Sequence, residues 1–490
     1  MQNRRDFLKL SLGAISALSF PSFAFGNSDF NDYKALVVIY NGGGNDGLNT
    51  FIPSGSDANS GYQAYANARE TIKVKNNSLE LPLNNGELDL SSSNPYSSND
   101  NLAKGYTKGF YLHDGADLAT NALMPEIAHL FNKNKVAIVA NAGNLIMSGT
   151  KKEFTSELKP LPPFLFAHNH QTKLAMTGEA STLNYNGWAG RLFDNWIDVN
   201  GGDIYGMNIA VGRSEHLFYG DKTQGLRINP SGPTSYNHLN TDIFNGLNDL
   251  EESEMFKRFF KKLKQHSFDM QTVLTEDWNN NAPDFSTFSA KNAYGEELFS
   301  SPSHEQLQES KPVLTDTSIL KQLKAVAKLA YIGKNRGLKR EIFFIYDGGY
   351  DTHNNQSNQH SRKLRGLSLG IGDFYKAIKE MGMENEVVSF NISDFGRSTG
   401  ENGDGTDHAW GSNLFVVGDA VKGGVYGSVP NLILGSEDDL TKKGRLIPTI
   451  SMSQYYATIL KWFGVDDMLM KKIVPELKNF DTKDLGFMHV

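Results

Sequence analysis

Cysteine is absent from all 490 residues. That excludes disulfides, thiolate metal sites, a cysteine nucleophile and lipid attachment through cysteine. It also suits an oxidising compartment, where a free thiol is a liability. Proline is scarce, with 16 residues against 47 glycines, as expected for many tight loops between regular elements. A basic excess is missing too: 48 Lys and Arg face 55 Asp and Glu, a net charge of −7. No cationic footprint for nucleic acid follows from that balance. Nor is there an uninterrupted apolar run of transmembrane length, since Leu8 to Phe25 is broken by Ser and Gly. What remains, 39% hydrophobic and 21% charged, is ordinary globular material with enough chain for a large core.

The N-terminus explains the missing thiols. Asn3-Arg4-Arg5-Asp6-Phe7-Leu8-Lys9 resembles a twin-arginine export signal, and Ser22-Phe23-Ala24 or Ala24-Phe25-Gly26 offers a small-residue cleavage site. Residues 1–26 are expected to be a signal peptide. The mature chain then begins near Asn27 and works in the periplasm or outside the cell.

Several apolar runs read as buried strands of a parallel sheet: Lys34 to Tyr40, Lys135 to Ala140, Glu341 to Tyr346, Val387 to Ile392 and Leu414 to Val417. Helical spacing links them, at Thr120 to Asn132, Asp316 to Gly333, Ser361 to Met381 and Ser453 to Phe463. Strand alternating with helix predicts an α/β fold, a three-layer sandwich with a mostly parallel central sheet. Residues 27–490 are expected to form one such domain, with insertions at about 55–112 and 200–315. The second insertion is expected to hold helices and loops packed as a cap.

Chemistry-bearing residues sit just after three of the strands. Asn41-Gly42-Gly43-Gly44-Asn45-Asp46 follows the first, Asp347-Gly348-Gly349-Tyr350-Asp351-Thr352-His353 the strand at Glu341, and Ser393-Asp394 the strand at Val387, with Asp407-His408 in the next loop. A parallel sheet aligns its C-terminal edges, so these groups can converge from distant positions. Carboxylates and imidazoles together are metal ligands or acid–base catalysts. Taken singly each has a plainer use: Asp after a strand caps helices or turns, and Asn402 to Asp407 reads equally as a solvated turn or a calcium loop. Arg397 reads as an anion clamp or as one half of a structural salt bridge. His168 opens a helix that ends at Thr177-Gly178. His113, His129, His216, His238, His266, His304, His360 and His489 stand outside any motif and read as surface or packing residues.

The motifs NGGGNDGLN, GGYDTHNNQ, SDFGRSTGENGDGTDH and VKGGVYG, behind a twin-arginine signal, resemble an uncharacterised bacterial export family grouped with the alkaline phosphatase and sulfatase superfamily. That resemblance implies an alkaline-phosphatase-like fold and one or two divalent metal ions. It implies metal ligands at Asp46, Asp351, His353, Asp394 and His408, and catalytic roles for His168 and Arg397. Ile392-Ser393-Asp394-Phe395-Gly396 is similar to the superfamily's TSDHG, with Phe395 in place of a ligand His. Where the superfamily sets a hydroxyl or thiol nucleophile at a helix start, this chain has Ala167-His168. Two functions follow. One is an exported metal-dependent hydrolase of small phosphate or sulfate esters. The other is a non-catalytic metal- or anion-binding protein, or an envelope interaction partner, on the same scaffold.

Overall fold

The computed structural model describes residues 30–91, 106–203, 205–213, 216–233, 272–301 and 318–490. Residues 1–26, expected to be a signal peptide, lie outside them, as do His238, His266 and His304.

Among the described residues, nine strands form one sheet. In chain order they are β1 Lys34–Gly42, β2 Val136–Gly143, β3 Asn208–Val211, β4 Leu226–Ile228, β5 Arg340–Gly348, β6 Val387–Ser393, β7 Ser412–Val417, β8 Gly424–Tyr426 and β9 Ile450–Ser451. They lie side by side as β8-β2-β7-β6-β1-β5-β3-β4, with β9 also paired to β2. Strand β7 runs antiparallel to both neighbours, and every other pairing is parallel.

β1 is the centre. Val37 is level with Phe343 of β5 on one side and Ser389 of β6 on the other. Side chains alternate across a strand, and β1 divides accordingly. Ala35, Val37 and Ile39 join a core with helices α1 (Pro125–Asn132), α4 (Ser318–Asn335) and α5 (Gln356–Glu380). Leu36, Val38 and Tyr40 face the other way, against α3 (Trp188–Asn195), α6 (Met452–Phe463) and α7 (Asp467–Ile473). A strand buried on both faces must be apolar throughout, which is why KALVVIY shows no polar alternation. The result is the expected α/β sandwich of three layers.

The region 200–315 departs from expectation. It supplies two strands of the main sheet, β3 and β4, and not helices and loops alone. Runs of four and three residues are too short for periodicity to register. The first insertion is partly regular: Phe110–Tyr111 joins Phe51–Pro53 and Leu118–Asn121 in a small antiparallel sheet, beside a helix at Tyr62–Ala68.

One buried ion pair fastens α1 to α5. Both guanidinium Nη atoms of Arg365 donate to Glu126 at 2.7 Å, and Ser368 donates to the same carboxylate. Burial disfavours the charged carboxyl, yet Arg365 prevails and holds its pKa below the usual range. Truncating one member leaves the other charge buried alone. Glu126→Ala is expected to lower stability by about 3–5 kcal/mol, read as a lower urea midpoint at unchanged slope.

Candidate metal centre

The C-terminal edge of β1, β5 and β6 is drawn together by close backbone contacts. Gly43 has φ +116, and a Cβ there would lie 2.4 Å from the backbone nitrogen of Asp351. Only glycine fits that crossing. Gly405 similarly lies against the backbone of His353, where a Cβ would come within 2.3 Å. It sits in the turn of a hairpin, Arg397–Glu401 paired with Thr406–His408. That hairpin carries His408 in register with Arg397 and docks through Thr406, whose N–H donates to the Thr352 carbonyl at 3.1 Å. The segment Asn402 to Asp407 is therefore a hairpin turn, with Asn402 donating to Asp407.

Four of the expected residues meet. His168 and His408 approach Nε2 to Nε2 at 3.0 Å. His353 Nε2 lies 2.8 Å from His408 Nε2. Asp351 Oδ1 is 3.4, 3.1 and 3.3 Å from the Nε2 atoms of His168, His353 and His408. For His168, Asp351 and His408, one ligand atom each lies within 4.8 Å of the others, near enough to hold one ion.

The outer nitrogens decide the tautomers. His408 Nδ1 lies 2.8 Å from the Phe166 carbonyl, which can only accept. His168 Nδ1 lies 2.5 Å from Asp394 Oδ2. Both Nδ1 atoms therefore carry hydrogen and donate, and in the neutral rings both Nε2 atoms present lone pairs. Two lone pairs at 3.0 Å, beside a carboxylate oxygen, repel unless a proton on one ring or a metal cation lies between them. This is also how proteins orient ligating histidines, through a carboxylate or carbonyl on the far nitrogen. The donor set fits a divalent ion.

Electrostatics agree with the geometry. Burial would lift the Asp351 pKa, but Arg397 and the two nearby imidazoles hold it down at about 2. Burial opposes charging of His168, but its bond to Asp394 wins and raises its pKa. His408 is shifted down, by burial first and then by the charge of His168.

Asp394, Asp46 and Arg397 are placed differently from expectation. Asp394 is buried one layer back, where Tyr40 and the Gly43 N–H bond its Oδ1 and its Oδ2 orients His168. Asp46 caps the short helix Gly47–Thr50, and its carboxylate is bound by buried Arg69 at 2.7 Å and by Gln356. It stays apart from the histidines. Arg397 has no exposed side-chain surface. Its donors go to the carbonyls of Gly43, Gly44, Tyr350 and Thr406 and to Asp351, so it is a structural tie and no anion clamp. Phe395 fills space, its ring centroid 4.7 Å from those of His168 and His408.

Beside the cluster opens a cleft of about 480 Å³ lined by His168, Asp351 and Asp394 together with Lys173, Arg213 and His216. The last three escaped the sequence reading. Lys173 lies one helical turn beyond Asn169 on α2 (His168–Thr177), a spacing that placed both on the face of a known site helix. His216, expected as a surface or packing residue, lines the cleft. Arg213 stacks on Tyr346, 4.5 Å from the ring centroid.

Residues 33–472 match a family model described as a protein of unknown function, DUF1501. The chain belongs to the DUF1501 family. No curated protein sequence matches it. Among solved structures, this DUF1501 chain is similar to the lipoteichoic acid synthase LtaP from Listeria monocytogenes, with a TM-score of 0.34 and 9% identity over 90% of this chain and 76% of that one. It is similar to Ps i-CgsB at a TM-score of 0.33 and 9% identity, over 73% of this chain and 71% of that one. Likeness at this level carries no argument, and the DUF1501 site is argued from its own geometry.

Beneath the cluster, His360 bonds Asn45 at 2.9 Å and Tyr106 at 2.8 Å. His113 is held by Asn132 and Thr120. Burial pushes both imidazoles down to about pKa 4. The unfolded chain protonates them near 6.5. Folding then requires giving up protons as soon as the pH drops below that value. Stability is expected to be full above about pH 6.5 and to fall towards pH 4, where the folded state takes up its own protons. His360→Gln should make this slope shallower, measured as urea midpoint against pH.

Proposed function

We propose that this DUF1501 protein is an exported, metal-dependent hydrolase of anionic esters, phosphate or sulfate, built on a single α/β domain of the alkaline-phosphatase type behind a twin-arginine signal. The observation that carries the metal is the convergence of His168, Asp351 and His408, with one ligand atom of each within 4.8 Å of the others. His168, Asp351 and His408 would hold the ion, with His353 beside them on the exposed rim. One ion suits the site, because Arg69 already neutralises Asp46 and Phe395 packs where a further imidazole would stand. A divalent ion bound there would polarise an ester oxygen and offset negative charge in the transition state.

The chain's own residues supply the rest. Asp394 and the Phe166 carbonyl fix two imidazoles before any ion arrives, so little reorganisation is needed on binding. Lys173 and Arg213 put positive charge on the cleft wall and favour an anionic substrate over a neutral one. Ala167 offers no hydroxyl at the start of α2. That supports attack by water without an intermediate on that position.

Ala167 equally supports the second reading, a metal- or anion-binding protein without turnover. Elemental mass spectrometry on the purified exported chain separates the two when joined to an ester screen. A stoichiometric divalent ion is expected, lost in His408→Ala and in His168→Ala. Ester hydrolysis should disappear with it. Metal without hydrolysis would favour the binding protein, and a chain that never takes up metal would sink the hydrolase and leave only anion binding.

If the enzyme reading holds, Lys173→Ala should raise KM for a phosphate or sulfate ester by about tenfold with a much smaller change in kcat. Steady-state kinetics on a charged ester and a neutral carboxylic ester would show whether the effect follows substrate charge.

A further inference from the structure

A second concavity shares no lining residue with the cleft at the metal centre. It is formed by α6, α7 and the chain after Pro475, and encloses about 560 Å³. Arg191 ties it to α2, donating to the carbonyls of Thr177 and Ile473 at 2.6 Å each. The groove therefore abuts the C-terminal end of a ten-residue helix whose N-terminal end carries His168. About 15 Å of helix separates the two.

The floor is apolar. Met470, Val474 and Leu477 are buried and line it, and no aromatic ring does. The rim is cationic. Lys471, Lys478 and Lys483 stand around the opening beside a single unlike charge, Asp467, and Lys461 is paired with Asp484 at 2.8 Å. This local excess of positive charge occurs on a chain whose net charge is −7.

We propose that this groove binds an anionic single-chain amphiphile, a fatty-acid-like molecule whose tail lies on the floor and whose acidic head meets the lysines. The volume falls within the range of small-molecule sites. An apolar floor gives nothing to a small hydrated anion, and the lack of rings removes the stacking faces that sugars and bases use. Met470 adapts its shape to a flexible tail. Lysine stems can extend the apolar wall while their ammonium groups stay at the water line. The assignment is independent of the metal centre.

The full chain would be titrated, free of detergent and at low salt, into 11-(dansylamino)undecanoic acid, with fluorescence as the readout. Saturable one-to-one binding is expected, displaced by decanoate. The exposed double substitution Lys471→Glu/Lys478→Glu should weaken it by about tenfold, while circular dichroism confirms an unchanged fold. No saturable binding, or equal affinity in the variant, would overturn the proposal. Displacement by decanol as effective as by decanoate would overturn the anionic head. Co-sedimentation with phosphatidylglycerol vesicles without binding of the free probe would overturn it in favour of a membrane surface.

Discussion

The buried guanidinium of Arg397 is the constraint on which the site depends. A charge taken fully out of water must be met by hydrogen bonds on every donor. Here the acceptors come from separate pieces of chain: Gly43 and Gly44 after β1, Tyr350 and Asp351 after β5, and Thr406 in the hairpin. Satisfying one side chain thus sets the spacing of the loops that present Asp351, His353 and His408. Arg397 also sits in register with His408 across the hairpin, so its backbone places His408 while its side chain places Asp351. Lysine could not replace it, since a point charge lacks the planar fork that reaches several loops at once.

A second buried layer supports the first. Gln356 accepts from Thr352 and Thr406 and donates to Asp46, which Arg69 neutralises. Thr352 lies between Asp351 and His353, so this network holds the loop from below as Arg397 holds it from the side. Such networks are stabilising only when every member is satisfied. That gives a physical reason for so many Asn, Gln and Thr side chains under an edge that the sheet alone would leave loose.

The sequence made the sheet and the convergence legible because both follow from local rules. Apolar runs mark strands buried on both faces, and parallel strands put their following loops on one edge. Asp351, His353 and His408 could be named on that basis, and His168 from the start of its helix. Side-chain destination was not legible. An Arg after a strand looks the same whether it faces a substrate anion or four carbonyls, and Arg397 does the latter. Asp46 sits in a motif that suggests a ligand, but Arg69, 23 positions away, claims it. β3 and β4 were hidden by brevity, and Lys173 by having no motif beyond its helical spacing.

Charge bookkeeping links the cluster to the cleft. Around the three imidazoles lie three carboxylates, Asp351, Asp394 and Asp407, and two guanidinium cations, Arg397 and Arg445, the latter bonded to the His408 carbonyl. With the rings neutral, the centre carries a net negative charge and faces an acceptor-rich space, an arrangement that attracts a cation and repels an anionic ester. A divalent ion reverses the sign. Only then do the metal centre and the wall bearing Lys173 and Arg213 act in the same direction. The cationic cleft and the acceptor cluster make electrostatic sense together when the ion is part of the site, and they oppose one another when it is not.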